Sequence, residues 1–162
     1  KVQYPGYEGF ITPTMKEVDD LVAAGSDIVA LDCTLRKRGD GSTVNEFIAQ
    51  IREKYPDIIL MADISNYEEG INAWKCGVDI VGTTMSGYTA YTSSVSDGPD
   101  YELMERLSRD INIPVIGEGR IHYPDQAVKA LQTGAWAIVV GGAITRPLEI
   151  AMRFQNAIKE SR

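Results

Sequence analysis

Residues 23–32, Ala23-Ala24-Gly25-Ser26-Asp27-Ile28-Val29-Ala30-Leu31-Asp32, lead from a helical pattern through a glycine into an apolar stretch that ends on a carboxylate. The helix exit recurs as Lys75-Cys76-Gly77-Val78-Asp79 and Gln132-Thr133-Gly134-Ala135-Trp136. A glycine just past a helix end takes the left-handed conformation that stops the helix, so this phrase is a structural device and not a ligand motif. The apolar stretches lie at 27–32, 58–63, 79–84, 113–118 and 137–141. They are rich in β-branched residues and continuous instead of alternating, which predicts strands buried on both faces, as in a parallel sheet.

Working outward, amphipathic segments separate these strands. Residues 14–24 carry Met15, Val18, Leu21 and Val22 at spacings of three and four; 44–55 carry Phe47, Ile48 and Ile51; 101–107 carry Leu103, Met104 and Leu107. Ser65 with Glu68 resembles a capping box, and Thr14, Pro124 and Pro147 suit first turns. A last helix over 147–159, with Ile150, Phe154 and Ile158 on one face, packs within the fold or against a partner. Repeated strand–helix units leave two architectures, a doubly wound open sheet or a closed eight-stranded barrel. An eight-unit barrel takes about 250 residues, so these 162 would be roughly its last two-thirds. Periodicity alone does not choose. No linker or charge block divides the chain, which reads as one domain over 1–162.

Composition excludes several classes. A net charge of −7 disfavours nucleic acid and anionic membranes as partners. No run of 18 apolar residues occurs, and the first residues lack the apolar stretch of a signal peptide. Cys33 and Cys76 form no CxxC and have no clustered histidine, so no metal site is expected; they read as buried reduced thiols of a cytoplasmic protein.

In both architectures ligands bind at the carboxyl ends of the strands. Those ends carry Asp32, Asp63, Thr83-Thr84, Glu118 and Gly141-Gly142. A carboxylate ending an apolar strand is costly unless solvated or paired. A single one is best read as a helix cap or a loop brace, whereas Asp63 and Glu118 together, beside glycine loops, point to a site. Gly117-Glu118-Gly119-Arg120 and Gly141-Gly142-Ala143-Ile144-Thr145-Arg146-Pro147 look like a phosphate cradle, each with an arginine and a following helix whose first amides attract an anion. The loop Met85-Ser86-Gly87-Tyr88-Thr89-Ala90-Tyr91 either covers a sugar or packs on the surface. Leu35-Arg36-Lys37-Arg38 reads as a solvated face, and His122 as a helix-start residue.

Five phrases resemble the bacterial N-acetylmannosamine-6-phosphate 2-epimerases: residues 11–19, 28–34, 61–65, Gly82-Thr83-Thr84-Met85-Ser86-Gly87-Tyr88-Thr89 and Val140-Gly141-Gly142-Ala143-Ile144-Thr145-Arg146-Pro147. They run in order through essentially the whole chain. The resemblance implies an α/β fold, a (β/α)8 TIM barrel of the ribulose-phosphate-binding type, of which the sequence covers the end of strand 3 through helix 8. Lys1 then falls where the family has a lysine at the end of the third strand, and the first two strands and most of the third would precede it. Relatives often follow that lysine with an arginine; here Val2 and Gln3 stand there.

The implied reaction inverts C2 of a 2-acetamido sugar phosphate, in sialic acid and amino sugar catabolism, with no cofactor. By resemblance Lys1 is the base, Glu118 its proton-shuttling partner, and Asp63 holds a hydroxyl or orients Lys1. Gly119, Arg120, Gly141, Gly142, Arg146 and Thr84 would bind substrate and its phosphate. The partner is a small phosphorylated amino sugar, and the family tends to form homodimers. Two other readings stay open: an aldolase using a lysine Schiff base on a phosphorylated sugar, and a non-catalytic phosphosugar-binding barrel.

Overall fold

A computed structural model describes residues 4–93 and 98–161. Lys1, the base implied by the family resemblance, lies outside the described residues. The elements alternate as the glycine exits predict: α1 (Met15–Ala23), β1 (Ile28–Asp32), α2 (Val44–Lys54), β2 (Ile59–Asp63), α3 (Tyr67–Lys75), β3 (Ile80–Gly82), α4 (Tyr101–Asp110), β4 (Val115–Glu118), α5 (Pro124–Gln132), β5 (Ala137–Val139), α6 (Gly142–Thr145) and α7 (Pro147–Glu160). Gly25, Gly77 and Gly134 take φ of 81°, 86° and 98° just past α1, α3 and α5. At these points a side chain would be strained and the chain turns cleanly towards the next strand.

All four strand pairings are parallel, and the order is β1-β2-β3-β4-β5 without reversal. A doubly wound sheet must reverse its order once to place helices on both faces. Here the order never reverses, so right-handed crossovers put every helix on the same side. That is the arrangement of a (β/α)8 barrel, of which five strands are described.

Burial follows from this. Val29, Leu31, Leu60, Ala62 and Val81 are fully buried against Val18, Ile48, Ile51 and Leu107 of the helices. Their neighbours along the strands, Ile28 and Ile59, are 46% and 40% exposed. The expected burial is therefore complete on the helix side, while the other face runs from exposed at Ile28 and Ile59 to buried at Asp32 and Asp63. The other face turns towards the barrel axis, and five strands enclose that axis incompletely.

Two local expectations need correction. The cap of α3 is Asn66, whose side chain accepts from Glu69 N, and not Ser65 with Glu68. Ser65 instead donates from its backbone N and its Oγ to Glu69 Oε2, both at 2.7 Å. The run 35–38 is solvated only at Leu35 and Lys37. Arg38 is buried, its guanidinium 4.0 Å from the Phe47 ring centroid, and it donates to the Pro13 carbonyl. Arg36 pairs with buried Asp32 at 2.5 Å and lies 4.2 Å from the Phe10 ring centroid. Aromatic residues distant in sequence thus turn two surface-type residues inward. Thr14 caps α1 through a capping box with Glu17, and Pro124 and Pro147 open α5 and α7, as expected.

Glu69 is buried in the first turn of α3 and accepts hydrogen bonds from three separate loops: Leu35 N at 3.0 Å, Ser65 as above, and Tyr91 Oη at 2.5 Å. Replacing it by alanine strands buried N–H groups in two of those loops. We expect Glu69→Ala to destabilise the fold by about 2–4 kcal/mol, read as a lowered urea midpoint at unchanged slope.

Candidate active site

The carboxyl ends of the strands converge on a cavity of ≈ 510 Å³, within the range that admits a small sugar phosphate. Its walls include Thr84, Glu118, Gly119, Arg120, Gly141 and Arg146. Local geometry explains how the strands deliver these groups. Gly82, the last residue of β3, is closely packed, and a side chain there would displace the end of Met61. A Cβ there would stand 2.4 Å from Met61 Cε and 3.1 Å from Thr84 Oγ1. The next two residues divide the task of holding Glu118. Thr83 Oγ1 donates to Glu118 O at 2.8 Å and accepts from Glu118 N at 3.1 Å, fixing the backbone. Thr84 Oγ1 lies 3.1 Å from Glu118 Oε2 and donates to Asp63 Oδ1 at 2.5 Å, bridging the side chains.

The three strand-end carboxylates therefore have different fates. Asp32 accepts from Thr34 N and Oγ1 and pairs with Arg36, which makes it a loop brace. Asp63 and Glu118 meet through one hydroxyl. Asp63 is buried beneath Thr84, while Glu118 faces the cavity. Burial raises the Glu118 carboxyl above its ordinary value of 4.5, and a hydrogen bond donated by Thr84 would act against that rise.

The glycine loops are built differently from each other. Gly119 has φ of 101°, and Arg120 follows at 56°, so the chain turns sharply away from β4. The expected helix start behind this loop is not offered to a ligand: His122 N and Tyr123 N both donate to Gln126 Oε1, at 2.7 and 3.1 Å. This makes His122 a helix-start residue, as expected, although its side chain borders the cavity. The second loop is open. A Cβ on Gly141 would meet nothing within 4 Å, and the backbone enters the short turn α6 directly.

Arg146 closes this end and is exposed, paired with Glu149 at 2.8 Å. Arg120 points elsewhere. Its Nη1 comes within 2.1 Å of the place a Cβ would occupy on Gly87, and its Nη2 reaches Ser86 Oγ at 3.4 Å. It therefore lies along the loop after β3 while still lining the cavity. In that loop Ser86 and Thr89 are buried, whereas Tyr88 is exposed at the cavity rim. The loop is thus packed at its base and free at one ring. Sequence reasoning missed Arg36, a half-buried cation on the opposite wall; only its spacing of four from Asp32 hinted at it. Among the described residues no group of His, Cys, Asp and Glu could hold a metal ion.

A family model described as "Putative N-acetylmannosamine-6-phosphate epimerase" matches residues 1–160. A protein from Caldanaerobacter subterraneus subsp. tengcongensis, named "Putative N-acetylmannosamine-6-phosphate 2-epimerase", is 57% identical over 162 residues, which is 100% of this chain and 68% of its own length. A protein of the same name from Clostridium perfringens is 50% identical over 98% of this chain and 71% of its own. The solved structure of the N-acetylmannosamine-6-phosphate 2-epimerase from Clostridium perfringens superposes with a TM-score of 0.88 at 49% identity, covering 96% of this chain and 67% of that one.

The raised Glu118 carboxyl has a consequence for stability. Between 4.5 and its higher folded value the native state binds more protons than the unfolded chain, so Glu118 lowers stability as pH rises through that window. Glutamine cannot ionise. We expect Glu118→Gln to be more stable than the parent at neutral pH, with the advantage shrinking near pH 4, in thermal melts run across pH.

Proposed function

The chain belongs to the N-acetylmannosamine-6-phosphate epimerase family, and on that premise we propose that it interconverts N-acetylmannosamine 6-phosphate and N-acetylglucosamine 6-phosphate by removing and returning the proton on C2. The observation that carries this is the meeting of Asp63 and Glu118 through Thr84 at the wall of a cavity whose far end is the open Gly141 backbone and Arg146. One end holds carboxyl groups suited to proton transfer; the other suits an anion.

C2 of the open-chain sugar adjoins the aldehyde, so loss of its proton leaves charge delocalised onto O1. Inversion needs a proton acceptor on one face, a donor on the other, and a fixed phosphate to hold the chain in register. Glu118 supplies one of the two proton-transfer groups, since burial moves its carboxyl up from 4.5, towards the pH at which it would work. Lys1 supplies the other in the family-based assignment, with Asp63 orienting it or holding a substrate hydroxyl. The backbone at Gly119, Gly141 and Gly142 holds the phosphate. Arg146 balances its charge after leaving Glu149, and Arg120 adds a second cation from the loop side.

The same reading has one domain acting in amino sugar and sialic acid catabolism. A cytoplasmic setting fits the free thiols of Cys33 and Cys76, and no described helix is long and apolar enough to cross a membrane. A homodimer could use the exposed Leu148, Phe154 and Ile158 of α7.

Proton NMR of N-acetylmannosamine 6-phosphate in D₂O with the intact protein tests the reaction. The gluco epimer should accumulate with deuterium at C2; retention of the C2 proton would falsify the assignment and favour Schiff-base chemistry or simple binding. Glu118→Gln should lose turnover by at least about a hundredfold while its KM changes little; activity near the parent's removes Glu118 from the chemistry. Arg146→Ala should raise KM about tenfold or more with a smaller loss of kcat, and an unchanged KM would rule out the anchor.

A further inference from the structure

Thr84 has a single hydroxyl proton and two carboxyl groups within reach, Asp63 Oδ1 at 2.5 Å and Glu118 Oε2 at 3.1 Å. Both contacts cannot be donations from Thr84. The shorter has the length of a charge-assisted O–H···O⁻ bond, which places the proton on the Asp63 side. Towards Glu118 the hydroxyl then offers only lone pairs. A carboxylate facing lone pairs at this distance is repelled, whereas a carboxylic acid donates to them. From this geometry we propose that Thr84 is a positioning residue that commits its proton to Asp63 and thereby keeps the proton on Glu118 Oε2, setting Glu118 as the acid of the resting site. The proposal rests on the functional reading above and assigns the protonation state that the reaction starts from.

Three further observations support it. The Glu118 backbone is clamped independently by Thr83, which fixes the point on β4 from which the carboxyl reaches the hydroxyl. Gly82 leaves the space in which Thr84 Oγ1 and Asp63 meet: its missing Cβ would lie 3.1 Å from the first and 3.5 Å from Oδ1 of the second. Burial by itself already favours the acid form of Glu118. Among the described residues the charged and titratable groups around the same cavity are Arg36 after β1, Tyr88 after β3, Arg120 and His122 after β4, and Arg146 and Glu149 after β5. The polar neighbour hydrogen-bonded to Glu118 Oε2 is Thr84.

The chemistry balances without another reactant. Glu118 passes its proton to C2 from its own face and becomes a carboxylate, while the proton lost from the opposite face of C2 goes to the other proton-transfer group. In the reverse direction Glu118 starts as the carboxylate and takes the proton. Thr84 changes neither its bonds nor its charge; it biases which form waits for substrate.

Substitution by valine keeps the shape and removes the hydroxyl, whereas serine keeps the hydroxyl and removes a methyl. The intact protein, labelled with ¹³C at side-chain carboxyls, would be titrated without substrate as the parent, Thr84→Val and Thr84→Ser, with Asp63→Asn and Glu118→Gln identifying the two resonances. With valine the Glu118 midpoint should fall by about half a pH unit or more, because its acid form loses an acceptor. The Asp63 midpoint should rise, because its carboxylate loses a donor. Serine should return both. A Glu118 midpoint that rises or stays fixed with valine overturns the proposal, since it would mean the hydroxyl donates to Glu118. In turnover the limb of the pH–rate profile belonging to Glu118 should move to lower pH with valine; a profile equal to the parent's also overturns it. Absence of C2 exchange in the parent would remove the epimerase reading instead, and the titration would still decide where the hydroxyl proton lies.

Discussion

The site face of this protein depends on one buried carboxyl group held by neutral donors. Glu69 accepts two hydrogen bonds from Ser65, one from the Leu35 backbone and one from Tyr91. It sits in the first turn of α3, where the aligned peptide dipoles favour negative charge. Asn66 caps that same turn. Because Leu35 follows β1, Ser65 follows β2 and Tyr91 lies in the loop after β3, a single residue sets the mutual position of three consecutive loops. The strands alone could not do this, since a parallel ladder fixes register but leaves each loop free. Thr84 and Met85 leave β3 just ahead of Ser86 and Thr89, and the latter lies 3.5 Å from Ser65 Oγ. The placing of the loop that follows Thr84 is therefore inherited from a brace outside the cavity wall.

A second theme is the sorting of acids by their surroundings. Asp32 and Asp63 are paired residues in the β1–β2 register and are both buried, yet one meets a guanidinium and the other a hydroxyl. The guanidinium commits Asp32 to an ion pair. The hydroxyl leaves Asp63 and Glu118 in communication, which is where proton chemistry can be placed. Two carboxylates brought this close would repel each other; a single hydroxyl set between Asp63 and Glu118 turns the approach into two hydrogen-bond contacts.

Much of this was legible in the sequence. The glycine exits at Gly25, Gly77 and Gly134 located three turns, and the residues ending the apolar stretches pointed to Asp63, Glu118 and the two glycine loops. Local rules failed where distant partners decide. Ser65–Glu68 and Asn66–Glu69 have the same spacing, and nothing within that short stretch shows that Ser65 is claimed by a buried Glu69. Arg36 and Arg38 look solvated until Phe10 and Phe47 are folded over them. The strands read as buried on both faces because a barrel interior is as apolar as a helix-covered face. Thr84 was legible as a strand-end residue, but its position between two carboxyls depends on the register of β2, β3 and β4, which no single segment encodes.

The segment before α1 is held against the carboxyl end of β1. Ile11 O accepts from Asp32 N at 2.9 Å, and Thr12, at a φ of 48°, donates from its hydroxyl to Ala30 O at 2.6 Å. These bonds occupy the outer edge of β1 at its carboxyl end with the chain's own backbone and side chain. Arg38 holds the same segment through the Pro13 carbonyl. The turn into α1 and the carboxyl end of β1 are thus tied by backbone, hydroxyl and guanidinium at once, so the strand end and the entry to the helix move as a single piece.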